Sequence, residues 1–241
     1  AALHLPMLSE AVPSMASVLI QSLKSLAEPP SRSGRSPERS RGKVVPIRVV
    51  GQDVTVPLVN RYTYPEQVGQ DRLVGTYAAW KQFKRDCIVA DFGTAITIDV
   101  VTKQGEYLGG IIAPGIDISL EALATRTALL PKVELREPPE LLGRDTANSI
   151  RAGLIYGCAA LCDGIITQLK THYAPNAAVV ATGGASPLLA KYAKTLTHLK
   201  PHLVLEGLYA LAQLPVPRGR QETSVSLERV KKPRYSPKKA R

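Results

Sequence analysis

Three apolar, strand-like runs follow one another between residues 87 and 113 with almost no connecting chain, and this stretch limits the fold more than any other. Cys87-Ile88-Val89-Ala90 reads as a short buried strand that ends at Asp91-Phe92-Gly93-Thr94. Residues 95–101 make a second strand, Lys103-Gln104-Gly105-Glu106 a turn, and residues 107–113 a third strand. Consecutive strands joined by tight turns form an antiparallel meander. Pro114-Gly115 punctuates it, and residues 118–130 take up helical spacing.

The rest of the chain surrounds this meander with helices. Residues 146–173 are long enough for a central helix, although Gly153, Gly157 and Gly164 lower its propensity and could instead permit close helix packing. Residues 178–181 form a strand, Gly183-Gly184 a turn, 187–193 a helix, and 203–214 the last apolar pattern. Upstream, residues 7–26 have the spacing of an amphipathic helix. A pair of strands at 44–50 and 54–59 about a Gly51-Gln52-Asp53 turn, an extended loop at 62–65 and a helix over 66–83 come next. Hydrophobic residues make up 44% of the 241 and aromatics only 5%, so Ala, Val, Leu and Ile carry the core. An α/β layered domain suits that profile better than a small barrel or a disulfide scaffold.

The formal charge of +11 invites a nucleic-acid reading until it is located. Residues 28–43 contribute +3 and residues 215–241 contribute +7, so the remaining chain is close to neutral. Both segments are rich in Ser, Pro and Arg and are expected to be disordered. They suit a solubilising tail, or weak and salt-sensitive contact with polyanions, better than a folded nucleic-acid surface. Cys87, Cys158 and Cys162 form no metal-ligand grouping and read as free thiols of a reducing cytoplasm. No uninterrupted apolar run approaches the ~20 residues of a membrane span, and no signal peptide is expected.

Four stretches could do chemistry. In Asp91-Phe92-Gly93-Thr94-Ala95-Ile96-Thr97, Gly93 lets the backbone approach an anion, Thr94 and Thr97 offer donors, and Asp91 can hold a cation. An Asp-x-Gly turn is often only a turn, and no His-Arg-Asp loop precedes it, which excludes a protein kinase. Gly69-Gln70-Asp71-Arg72 combines a proton acceptor with a carboxylate binder, or is an exposed charged pair at a helix start. Asp145-Thr146 can cap the long helix. Thr182-Gly183-Gly184 can let an adenosine lie against the backbone, or simply connects strand to helix.

Taken in order, these stretches resemble the type III pantothenate kinases. That family carries Tyr-x-x-Pro-x-x-Val-Gly-x-Asp-Arg, then Asp-Phe-Gly-Thr-Ala-x-Thr, then Gly-x-Tyr-x-Gly-Gly-x-Ile-x-Pro-Gly, a Thr at a helix start and a Thr-Gly-Gly turn. Here they fall at 62–72, 91–97, 105–115, Thr146 and 182–184. The resemblance implies an actin-like, ribonuclease H-like ATPase fold of the acetate kinase/sugar kinase/Hsp70/actin superfamily. It implies ATP-dependent phosphorylation of pantothenate, the first step of coenzyme A biosynthesis, in a cytoplasmic homodimer. Asp71 would be the general base. Tyr62, Gly69, Gln70, Asp71, Arg72 and Thr146 would bind substrate, with Thr146 reaching across the dimer interface. Gly93, Thr94, Thr97, Gly183 and Gly184 would meet ATP. Asp91 would hold the monovalent cation, K+ or NH4+, that the family uses beside Mg2+.

The family's N-terminal Asp-x-Gly-Asn-Thr phosphate loop does not occur in this sequence. The expectation is therefore an incomplete first lobe, from an incomplete sequence rather than a retired enzyme. Its divisions are residues 1–27 as a remnant of that lobe, 28–43 as an insert, 44–85 as the lobe's end with the substrate segment, 86–214 as the second lobe and 215–241 as a tail. The alternative function is a catalytically inactive relative that acts as a binding or regulatory protein.

Overall fold

A computed structural model describes residues 48–215. Six strands form one sheet in the order β1-β4-β3-β2-β5-β6: β1 (Val59–Asn60), β2 (Cys87–Phe92), β3 (Ala95–Val101), β4 (Glu106–Pro114), β5 (Ala178–Thr182) and β6 (His198–Leu199). The β2–β3–β4 meander is antiparallel, with Asp91 opposite Thr97 and Ile98 opposite Ile111. β5 joins β2 in parallel, Asp91 beside Thr182. β1 runs parallel to β4, and β6 to β5. Every strand but β3 therefore points the same way, and the C-terminal ends of β2, β4 and β5 share one edge.

Strand alternation sends side chains to two covered faces. Ile88, Ala90 and Phe92 of β2 join Ile96, Ile98 and Val100 of β3 beneath α3 (Thr146–His172), which contributes Cys162 and Ile166. α2 (Ile116–Arg126) and the short α4 (Ser186–Leu189) lie on this side, adding Ile116 and Leu189. On the other face α1 (Gln70–Phe83) and α5 (Leu203–Ala212) pack together, with Val74, Tyr77, Leu208 and Leu211 in one cluster. Ala78, Val89, Val180 and Leu203 form its neighbour against the sheet. Gly207 lets α1 and α5 approach closely, since a Cβ there would meet the Val74 carbonyl oxygen at 2.6 Å.

α1 ends at Lys84, in a left-handed conformation (φ 53°) whose N–H returns to the Trp80 carbonyl. α3 opens with Asp145, whose carboxylate accepts from the Asn148 N–H at 2.8 Å; Asp145 rather than Thr146 is the cap. By length and composition α3 could cross a membrane; its face with Ile150, Ile155, Ala159, Cys162 and Ile166 is buried in the protein. Asp163 fastens α3 to the chain entering β6 by accepting from the Lys194 and Thr195 N–H groups and the Thr195 hydroxyl. The three cysteines are free thiols; burial pushes Cys87 and Cys162 up to about 12.

The meander, the central helix and the α/β layering agree with the sequence reading. Of the strand pair expected at 44–50 and 54–59, residues 44–47 lie outside the described residues; among those described, only an isolated bridge joins Val50 to Val54, and Val59–Asn60 pairs with β4. Pro57, which has no N–H to donate, interrupts the second run. The helix expected over 66–83 is divided into a 3-10 turn, Pro65–Gln67, and α1, with Gly69 as its N-cap. The expected helices at 118–130 and 187–193 are Ile116–Arg126 and Ser186–Leu189. The helix expected at 7–26, the basic insert and nearly all of the tail lie outside the described residues.

Candidate active site

The polar turns collect at the shared C-terminal edge of β2, β4 and β5, where an open α/β sheet offers a crevice. The Phe92-Gly93-Thr94 turn leaves β2, and Gly115 leaves β4 to start α2. Gly115 donates its N–H to the Thr94 carbonyl at 3.1 Å, and a Cβ on it would strike the Gly93 and Thr94 carbonyls. Gly183, at φ +88°, follows β5; a Cβ there would collide with Asp91 Oδ1 and meet the Phe92 carbonyl at 2.7 Å. Gly184 has open space where a side chain would stand. The backbone N–H groups of Thr94, Gly183 and Gly184 find no acceptor among the described residues. Unpaired amides on glycine turns at a strand edge are suited to an anion such as phosphate.

Asp91 sits inside this ring, half-buried, and its carboxylate accepts no hydrogen bond from the described residues. Burial, with the negative charges of Asp71 and Asp99 adding to it, pushes its carboxyl up to about 6. An acid held this way gains from a cation beside it. Among the described residues no group of three His, Cys, Asp or Glu side chains is arranged to hold a metal ion. Thr97 is half-buried on the same face, opposite Asp91 in register.

α1 brings the second stretch to this face. Asp71 lies exposed in its first turn and accepts the Arg72 N–H at 2.9 Å. Arg72 turns inward and grips Asp99 of β3 with Nε (3.1 and 3.2 Å) and Nη2 (2.5 Å). The Tyr107 hydroxyl donates to the same Asp99 oxygen at 2.7 Å, and the guanidinium carbon lies 6.0 Å from the Tyr107 ring centre. Burial opposes charge on Arg72, but Asp99 outweighs it and holds the guanidinium above its ordinary value. Tyr62 stands beside the group, its ring 6.5 Å from that of Tyr107 and packed over Gly109. Gln70 instead lays its side chain over the Gly51 turn, and Gly69 has no room for a Cβ beside the Asp71 carboxylate.

Thr146 stays apart. Tyr62 lines a cavity of about 540 Å³ with Leu108, Ile111, Leu169 and His172, between β4 and the C-terminal end of α3. Thr146 is the exposed first residue of that helix, roughly 33 Å away along its axis from Gln168 at the cavity wall. One copy of the chain therefore does not bring Thr146 to Tyr62.

Asp99, Tyr107 and Gly110 are the site residues that the sequence reading missed. A lone acid between Ile98 and Val100 was the available signal, because a charge inside an apolar strand requires a partner. Gly110, opposite Asp99 in register, makes the space: a Cβ there would collide with Asp99 Oδ1 and meet Arg72 Nη2 at 2.8 Å.

The type III pantothenate kinase family model matches residues 25–168, more than half of the chain and short of the Thr182–Gly184 turn. A type III pantothenate kinase of Anaeromyxobacter sp. (strain K) is 45% identical over 161 residues, 67% of this chain and 63% of that protein. One from Geotalea daltonii is 42% identical over 165 residues, covering 68% and 64%. The chain thus spans a little under two thirds of the length of these relatives. A solved structure described as a Baf family transcriptional activator from Campylobacter jejuni covers 64% of the chain and 66% of its own at 23% identity, with a TM-score of 0.44, too low to carry an argument. With more than half its length matched by the family model, the chain belongs to the type III pantothenate kinase family.

Proposed function

We propose that the protein phosphorylates pantothenate with ATP, with Asp71 as general base. The observation that carries this reading is the meeting of an exposed Asp71, an Asp91 without a partner among the described residues and the glycine turns of residues 93–94 and 183–184 on one face and edge of a single sheet. Pantothenate supplies a primary hydroxyl for attack and a carboxylate for recognition. The Asp71 carboxylate takes the hydroxyl proton as the oxygen bonds to the γ-phosphorus, and the bond to the β–γ bridging oxygen breaks with its electron pair leaving on ADP. Arg72 meets the pantothenate carboxylate, with Tyr62, Gly69 and Gln70 completing the pocket. Gly93, Thr94 and Thr97 face the phosphates, and Gly183 and Gly184 the adenosine. Asp91 holds the monovalent cation, K+ or NH4+; bound cations, Mg2+ included, neutralise phosphate charge.

Thr146 fits a substrate contact only as the contribution of a second copy, which supports a homodimer. On the same reading residues 44–85 carry the substrate segment, 86–214 form the second lobe, and the enzyme works in the cytoplasm. The test is Asp71→Asn in the full-length protein. Turnover is expected to fall 100-fold or more, while stability changes by less than about 0.5 kcal/mol because the side chain is exposed. Near-normal turnover in that variant overturns the assignment of the base. A wild type that binds pantothenate yet never turns over would make the protein a binding relative instead.

A further inference from the structure

We propose that Asp99, with Tyr107 behind it, is a positioning residue that aims Arg72 at the carboxylate of the substrate, an inference resting on the pantothenate reading above. Asp99 is 2% exposed and Tyr107 fully buried, so neither can touch substrate. Asp99 occupies Nε and Nη2 of Arg72 and leaves Nη1 without a partner among the described residues. A planar guanidinium fixed along one side presents its remaining N–H groups in a set direction. The anchor is itself anchored, because the Tyr107 hydroxyl holds the Asp99 oxygen that accepts both Nε and Nη2. Gly110 keeps the neighbouring strand clear of the pair. Tyr62, whose phenol lies within electrostatic reach of Arg72, bounds the space on the other side. An arginine on the first turn of a helix would otherwise sample many rotamers, and a free one would lose much of its grip to ordering entropy.

The test is the discrimination between pantothenate and pantothenol, in which a hydroxymethyl group replaces the carboxylate, measured by calorimetry on the full-length protein. Wild type is expected to prefer pantothenate by tenfold or more, the scale of a hydrogen bond to a charged group. Asp99→Asn is expected to bring that preference close to unity while pantothenol binding changes little, and combining it with Arg72→Lys should add almost nothing. A folded Asp99→Asn protein that keeps the wild-type preference overturns the inference. So does a loss that is equal for both ligands, since a purely structural role would weaken both. If Asp99→Asn does not fold, Tyr107→Phe, which leaves the ion pair in place, should reduce the preference several-fold; an unchanged preference there overturns the inference as well. A wild type that binds neither ligand removes the pantothenate reading itself, an outcome visible before any variant is made.

Discussion

Asp91 and Asp99 stand on adjacent strands of one sheet and face the same way, two register positions apart. Asp99 is matched in full: Arg72 brings the opposite charge and Tyr107 a hydroxyl. Asp91 is matched by nothing among the described residues, and burial, then Asp71 and Asp99, push its carboxyl up to about 6. The fold therefore treats a buried acid and a half-buried one in opposite ways. The satisfied one is built into the structure. The unsatisfied one costs stability and suits a ligand, because buried charges are retained without a partner chiefly where function needs them.

The comparison breaks first at Asp99. Asp99→Ala leaves the Arg72 charge buried and alone and should cost about 3–5 kcal/mol, read from urea denaturation; a cost below about 1 kcal/mol would mean that the pair is not structural. Gly110→Ala drives a methyl group into the same pair and the Ile98 carbonyl. A loss of about 2–3 kcal/mol is expected from such overpacking, and a neutral result would show that β4 can move aside.

Asp91 should respond with the opposite sign. Its folded value lies above the ~3.9 of an unfolded aspartate, so below about pH 4 the group is neutral in both states and costs nothing. As pH rises from 4 to 6 the unfolded chain ionises first and stability falls, after which the penalty is constant. In buffer free of potassium, ammonium and magnesium, Asp91→Asn should stabilise by about 2 kcal/mol at pH 7 and by almost nothing at pH 4. Equal melts for the two proteins at pH 7 would show that Asp91 is partnered after all. Tyr107→Phe is the mildest change, with about 1 kcal/mol expected from the lost hydroxyl; a much larger loss would shift the anchor of the network from Arg72 to Tyr107.

Much of this was legible in the residues. The 87–113 meander follows from apolar runs separated by turns too short for anything but antiparallel pairing, and Asp91, Gly93 and Thr94 were marked by their place at a strand end. The run at 54–59 is not a single strand, because apolar content does not show that Pro57 lacks a ladder donor or that Val59 has a partner in β4. Thr146 and Tyr62 belong to one family pattern, but nothing in a linear motif says that a helix of 27 residues separates their surroundings.

The sequence by itself determined the layers, the strand-end turns and the family, because these depend on local periodicity and on short motifs whose spacing survives in one dimension. Only the tertiary structure decided which acid would be satisfied. Partnering Asp99 with Arg72, while Asp91 has no partner among the described residues, depends on β3, β4 and α1 meeting at one place, with Gly110 vacating the space between them. Burial and charge pairing are properties of neighbours in space, and those neighbours come from three separate stretches of chain.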